Sequence, residues 1–305
     1  MSNMINMQSI VDAVLSEWPE HEIYISKSLS GYTEEERAHV ERLSERICAL
    51  AGDRLPDFAA SYKWLCGVFN EEQIAFIRTG KYRRTSFAEA NAEVYANKDF
   101  MQKYMEGLLV SQLLWSNHAR AFLFHDAFID SLKEGTRYLE VGPGHGLYLA
   151  TAALNPRCAV VEAWDVSAES LEQTAASTRR MGISRPVRLA QRDVAEVGRR
   201  AEDGEPFDVV VISEVLEHLE DPLRVLKNLR TFLVPGGRIF VHFPINSPAP
   251  DHIYLLTSLD EVRAMVEEAG FRVETAEEYP TTGYTLKRAM ATKATVSCLV
   301  IGVNP

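Results

Sequence analysis

Apolar residues recur every third or fourth position through residues 1–132 of this 305-residue chain, and after Gly135 they gather instead into short unbroken runs. The first rhythm is that of helices with one buried face; the second is that of strands buried on both faces. "TEEERAHVERLSERICALAG", residues 33–52, carries a threonine cap, early glutamates, a closing glycine, and Val40, Leu43, Ile47 and Leu50 along one side. The stretch 99–132 reads as one long helix or a helix pair. Its stripe of Tyr104, Leu108, Ser111, Trp115, His118 and Phe122 mixes apolar bulk with hydrogen-bonding groups.

Beyond Gly135, the runs at 136–142, 159–165, 187–193, 207–213 and 238–244 predict buried parallel strands, with helices near 146–154, 168–181, 195–202 and 221–233 between them. Such alternation implies a doubly wound sheet built from right-handed crossovers. Segments 272–279 and 295–303 add two strands. The expected fold class is therefore α/β, a mostly parallel seven-stranded sheet over 133–305, preceded by an all-helical domain over 1–132. Proline lacks a backbone donor, so Pro244, Pro248 and Pro250 are expected to end the fifth strand at His242 or Phe243. The polar loop that follows should project from the carboxyl edge of the sheet.

Composition narrows the function classes. A chain 46% hydrophobic and 25% charged is globular, and its net charge of −11 argues against binding a phosphate backbone. The basic "KYRR" at 81–84 reads as a solvated helix end or turn. Cys48, Cys66, Cys158 and Cys298 are scattered, without a Cys-x-x-Cys pair, so neither a disulfide frame nor a zinc site is expected. With no apolar run near the length of a membrane helix and no secretory signal, the cytoplasm is the expected compartment.

The chemistry lies at the strand ends. "LEVGPGHGLYLA", 139–150, joins the first strand to a helix through Gly142, Gly144 and Gly146, a turn that lets a ligand approach the backbone. Asp165 closes the second strand, where a carboxylate can accept both hydroxyls of a ribose; Asp193 closes the third, where one can accept an adenine amine. Val166 and Val194 follow these acids. The spacing is G-x-G-x-G, not the G-x-G-x-x-G of pyrophosphate binders, and Pro143 removes a donor that a phosphate would want. A ribosyl adenine without phosphate is the ligand these features describe.

Residues 136–303 resemble the class I S-adenosylmethionine-dependent methyltransferase family, whose motifs match Glu140, Gly142, Gly144, Gly146, Asp165, Asp193 and "SEVLEHLEDP" at 213–222. The resemblance implies a Rossmann-like fold, S-adenosylmethionine as cofactor, and a pocket lined by Ser213, Glu214 and Leu216 with His218 close by. The helical segment lies outside the family's common core and is expected to form a lid over a small-molecule substrate. Candidate catalytic groups are His118, His252, Tyr104 and Asn246, with Gln112, Trp115, Asn117, Asp251 and Tyr254 as substrate or lid residues. Each also has a structural reading: His252 as a donor to a neighbour, Asp251 as a turn cap, Trp115 as packing. Methyl transfer in secondary metabolism is the expected reaction. "YMEGLLVSQLLWSNH", "EVGPGHG" and "PINSPAPDHIYL" are also similar to azetidine-2-carboxylate synthases, which share the fold but close S-adenosylmethionine on itself. A binding module without chemistry is the third alternative, disfavoured by the complete glycine and aspartate set.

Overall fold

A computed structural model describes residues 5–196 and 204–305 and resolves two compact units. The helix expected at 195–202 runs into residues outside this description. One unit comprises Met1–Asp126, Asn246–Leu255 and Tyr279–Ser297; the other comprises Ala127–Ile245, Leu256–Glu278 and Cys298–Pro305.

The first unit is built on α1 (Ile5–Glu17), α2 (Glu22–Leu29), α3 (Glu34–Ala51), α4 (Leu55–Thr79), α5 (Phe87–Ala90), a π-helical turn at Asn91–Tyr95, α6 (Lys98–Leu114) and most of α7 (Ser116–Asp130). α3 starts where its sequence predicts: Thr33 Oγ1 accepts from Glu36 N at 3.2 Å and Glu36 Oε2 accepts from Thr33 N at 2.7 Å. Its Val40, Leu43, Ile47 and Leu50 stripe is buried. The stretch 99–132 proves to be a helix pair. Trp115 adopts an extended conformation (φ −100°, ψ 119°) between α6 and α7, which interrupts the expected continuous stripe. The basic residues at 81–84 are not simply solvated, since Arg83 and Arg84 both pair with Glu72 and Arg84 also meets Glu93.

The second unit carries the sheet, in the order β3-β2-β1-β4-β5-β7-β6. Its strands are β1 (Thr136–Val141), β2 (Cys158–Asp165), β3 (Arg188–Gln191), β4 (Phe207–Ser213), β5 (Leu233–Ile245), β6 (Arg272–Pro280) and β7 (Val296–Val303). The β1–β2, β1–β4, β2–β3 and β4–β5 pairs are parallel. Helices α8 (Leu147–Leu154), α9 (Ala168–Arg180), α10 (Pro222–Arg230) and α11 (Leu259–Glu268) intervene, and α12 (Leu286–Thr292) precedes the last strand. The strand order reverses beside β1, so the ends of β1 and β4 flank the crevice where open sheets bind ligands.

β5 departs from expectation at both ends. Phe207 pairs with Leu233 but Val209 with Arg238, so the Pro235-Gly236-Gly237 segment bulges out inside the strand instead of preceding it. Gly236 N donates to Asn304 O at 2.7 Å and Asn304 N to Gly237 O at 2.8 Å, which supports the bulge. At the other end the strand continues through Pro244 to Ile245. β4 stops at Ser213, opposite His242, so beyond that point no donor toward β4 is needed and a proline fits.

The following loop does not project into solvent. Asn246 through His252 are all buried, within the helical unit. A polar loop is stable there because its groups are bonded: Ser247 N donates to Tyr82 OH (3.0 Å), His252 Nδ1 donates to Ser247 O (2.6 Å), and Tyr104 and Tyr95 donate to the two oxygens of Asp251 (2.7 and 3.2 Å).

In β1, Glu140 lies on the same face as Tyr138, whose hydroxyl donates to Oε2 at 2.9 Å. Burial pushes the Glu140 carboxyl up to about 8, outweighing the opposing effect of that hydrogen bond. The folded protein thus keeps a proton that the unfolded chain loses near the ordinary carboxylate range, so stability falls as pH rises through that interval and levels off near 8. Glu140→Gln should flatten the dependence of the ligand-free melting temperature on pH between 5 and 8 and raise it at 8; an unchanged slope would refute an uncharged Glu140. Thr33→Ala should cost about 1 kcal/mol in denaturant unfolding through loss of the α3 cap, and Thr33→Ser should restore most of it.

Candidate functional site

The turn after β1 is held open by backbone conformation. Gly142, Gly144 and Gly146 have φ of 68°, 51° and 76°, the left-handed region that side chains disfavour. Gly142 N donates to Trp164 O on β2 at 2.8 Å, and a Cβ at Gly142 would lie 2.6 Å from Val215 Cγ2. The segment following β4 therefore packs directly on the glycine turn. Gly146 is the N-cap residue of α8, and Thr174 Oγ1 of α9 donates to Gly144 O at 2.9 Å. The first turn of α8 presents backbone N–H groups that suit a carboxylate.

The residues expected at the cofactor, Glu140, Gly142, Gly144, Gly146, Asp165, Val166, Asp193, Val194, Ser213, Glu214, Leu216 and His218, all belong to the α/β unit. Asp165 ends β2 half-buried; its oxygens accept from Ser167 N (2.9 Å) and Ser170 Oγ (2.7 Å), leaving acceptor capacity on each. Val166 beside it is 57% exposed, an apolar surface next to a carboxylate. Asp193 is exposed beyond β3 and accepts from Ala195 N at 2.8 Å; Val194 O accepts from Asn228 Nδ2 at 2.9 Å. Leu216 opens a 3-10 turn, Leu216–His218, and is fully buried, while His218 is half-buried with Nε2 3.7 Å from Glu217 Oε1.

Ser213 and Glu214 meet a histidine that lies outside the sequence motifs. His242 of β5 is 2% exposed; its Nδ1 lies 3.1 Å from Ser213 Oγ and its Nε2 lies 2.7 Å from Glu214 Oε1, close although outside good hydrogen-bond alignment. Glu214 has φ 54°, a conformation that costs a bulky residue energy. The available signal was a histidine inside an otherwise apolar strand.

The helical unit holds the other candidates. Tyr104 and Asp251 are bonded, and Tyr95, overlooked in the sequence because its π-helical turn has no simple period, completes that group. Rings surround it: Phe69 and Phe100 lie 6.1 and 5.8 Å from Tyr104, and Phe69 lies 5.2 Å from Trp115. His118 Nδ1 is 3.1 Å from Ser111 Oγ and 3.4 Å from Gln112 Nε2, with the Trp115 ring 4.9 Å away. Trp115 Nε1 donates to Tyr62 OH at 3.2 Å. Asn117 is 1% exposed and donates to Ser297 Oγ at 3.1 Å; Tyr254 is half-buried. Asn246, φ 47°, accepts from Thr295 Oγ1 through its carbonyl at 3.3 Å. Among the described residues no helix is long and apolar enough to cross a membrane.

Comparison with known proteins agrees with the glycine turn. A family model described as a methyltransferase domain matches residues 139–239. The ubiquinone biosynthesis O-methyltransferase of Parvibaculum lavamentivorans is 29% identical over 129 residues, 42% of this chain and 48% of that protein. Its counterpart from Xylella fastidiosa is 35% identical over 107 residues, 35% of this chain and 41% of that protein. The chain thus spans half or less of the length of these curated relatives. The crystal structure of the S-adenosylmethionine-dependent methyltransferase SibL in its apo form aligns with 82% of this chain and 74% of SibL, with TM-score 0.53 and 17% identity. That likeness concerns the fold, and it covers more of the chain than the α/β unit alone provides. Residues 139–239 thus match a methyltransferase domain, and they lie within a seven-stranded sheet of order β3-β2-β1-β4-β5-β7-β6.

Proposed function

We propose that the protein is an S-adenosylmethionine-dependent methyltransferase acting on a small molecule of secondary metabolism, with the helical unit as its substrate-recognising lid. The observation that carries this reading is the glycine turn with φ of 68°, 51° and 76°, flanked by Asp165 and Asp193 at the ends of neighbouring strands. In this reading Asp165 grips the ribose, Asp193 the adenine amine, Val166 the adenine face, and the N-terminus of α8 the methionine carboxylate. The matched relatives act on oxygen, so a hydroxyl acceptor is the first to test. Their alignments are shorter than the α/β unit and carry no information about the acceptor.

One observation favours the self-cyclising alternative. Asp251 accepts from Tyr95 and Tyr104, and the Tyr104 ring stacks with Phe69 and Phe100, an aromatic surrounding suited to a sulfonium cation. In that reaction the cofactor's neutral amine attacks its own γ-carbon, the γ-carbon–sulfur bond breaks, methylthioadenosine leaves, and the amine gives up a proton.

Incubation with S-adenosylmethionine alone, and then with catechol and a set of phenols and amines, separates the readings. S-adenosylhomocysteine formed only with an acceptor supports methyl transfer; methylthioadenosine and a cyclic imino acid formed without one mark the cyclase. Asp165→Ala should weaken S-adenosylhomocysteine binding at least tenfold in calorimetry, and unchanged affinity would remove Asp165 from the ribose site.

A further inference from the structure

His242 near the end of β5 has no part in the cofactor contacts assigned above, and it meets two residues at the end of β4 that do, Ser213 and Glu214. The three side chains converge although a buried imidazole in a sheet core has no packing advantage over an apolar residue. Glu214 holds a left-handed backbone conformation, φ 54°, while its carboxylate lies 2.7 Å from the ring. Val215, the next residue, packs on Gly142 and so ties this group to the glycine turn.

We infer that Ser213, His242 and Glu214 form a proton relay that accepts the acceptor's proton during methyl transfer. The inference rests on the function proposed above. A carboxylate facing Nε2 favours the tautomer with the proton there and leaves the Nδ1 lone pair toward the Ser213 hydroxyl. As the acceptor oxygen or nitrogen forms its bond to the methyl carbon, the carbon–sulfur bond breaks and its electron pair stays on sulfur, giving neutral S-adenosylhomocysteine. The acceptor's proton passes to Ser213 Oγ while the Ser213 proton passes to His242 Nδ1. The resulting imidazolium faces Glu214 and returns its proton to water after product leaves. Ser213 is the group that touches the acceptor, His242 the proton store, and Glu214 a positioning residue.

Three measurements on the full chain test this. Nitrogen-15 NMR of the S-adenosylhomocysteine complex should show His242 with its proton on Nε2, and Glu214→Gln should erode that preference; a proton on Nδ1 would overturn the relay. Steady-state kinetics with the acceptor that turns over should show Glu214→Gln lowering kcat severalfold with KM little changed, and Glu214→Asp restoring part of it; an unchanged kcat in Glu214→Gln overturns the relay. With the acceptor that turns over, His242→Gln should reduce kcat at least a hundredfold, with S-adenosylhomocysteine affinity within threefold. Retained kcat overturns the relay. Failure of the wild-type protein to bind either cofactor form would instead refute the proposed function.

Discussion

The contact between Val215 and the space above Gly142 constrains the rest of the α/β unit. A Cβ at Gly142 would approach Val215 Cγ2 to 2.6 Å, and the residue's φ of 68° already disfavours a side chain. Two segments from adjacent strands can approach this closely only when one of them is backbone alone. The approach sets the glycine turn against the end of β4, and with it the placement of Ser213 and Glu214 beside the β5 residue His242. Strain at Glu214 is maintained because the surrounding parallel ladder, β1 with β4 and β4 with β5, over-determines the backbone there.

The two kinds of polar burial in this chain solve the same problem differently. In the α/β unit, Asp165 and Ser213 sit at the ends of β2 and β4, where the ladder ends and backbone groups are released, so these strand termini present polar groups at small cost. In the helical unit, the loop from Asn246 to His252 is buried outright, and tyrosines from α4–α5 connections, the π-helical turn and α6 supply its partners. A phenol is well suited to this: it brings a large apolar body and one donor, so it fills space and satisfies a carboxylate or amide with a single rigid group.

Much of this was legible in the sequence because it follows periodicity and turn chemistry. The α3 cap at Thr33 with Glu36, the strand at Phe207–Ser213, and the glycine turn each obey a local rule, and the structure follows it. What was not legible depended on partners distant in sequence. Pro244 lies in a strand because β4 ends first, and the polar loop is buried because Tyr82, Tyr95 and Tyr104 are there to meet it. The proline rule describes a residue's own backbone; it does not describe whether a neighbouring strand still asks for a donor. In the sequence His242 stands beside Asp251 and His252, with which it could imitate a two-histidine, one-carboxylate metal site; its actual neighbours, Ser213 and Glu214, are distant in sequence and known only from the strand pairing.

Glu140 and Glu214 show how one unit gives two carboxylates opposite tasks. Glu140 lies 3% exposed in the middle of the sheet with a phenol for a donor, and burial favours its neutral form. Glu214 lies past the end of its strand, partly open, with an imidazole at 2.7 Å that a negative charge stabilises. A neutral carboxyl can donate a hydrogen bond while a charged one can only accept, so the burial that keeps Glu140 neutral in β1 makes it a donor, whereas Glu214, beyond the end of the adjacent β4, lies where burial is weaker. Exchanging the environments would remove both properties without altering either residue. The sheet's burial gradient, from the centre of β1 to the end of β4, is therefore what differentiates two chemically identical side chains.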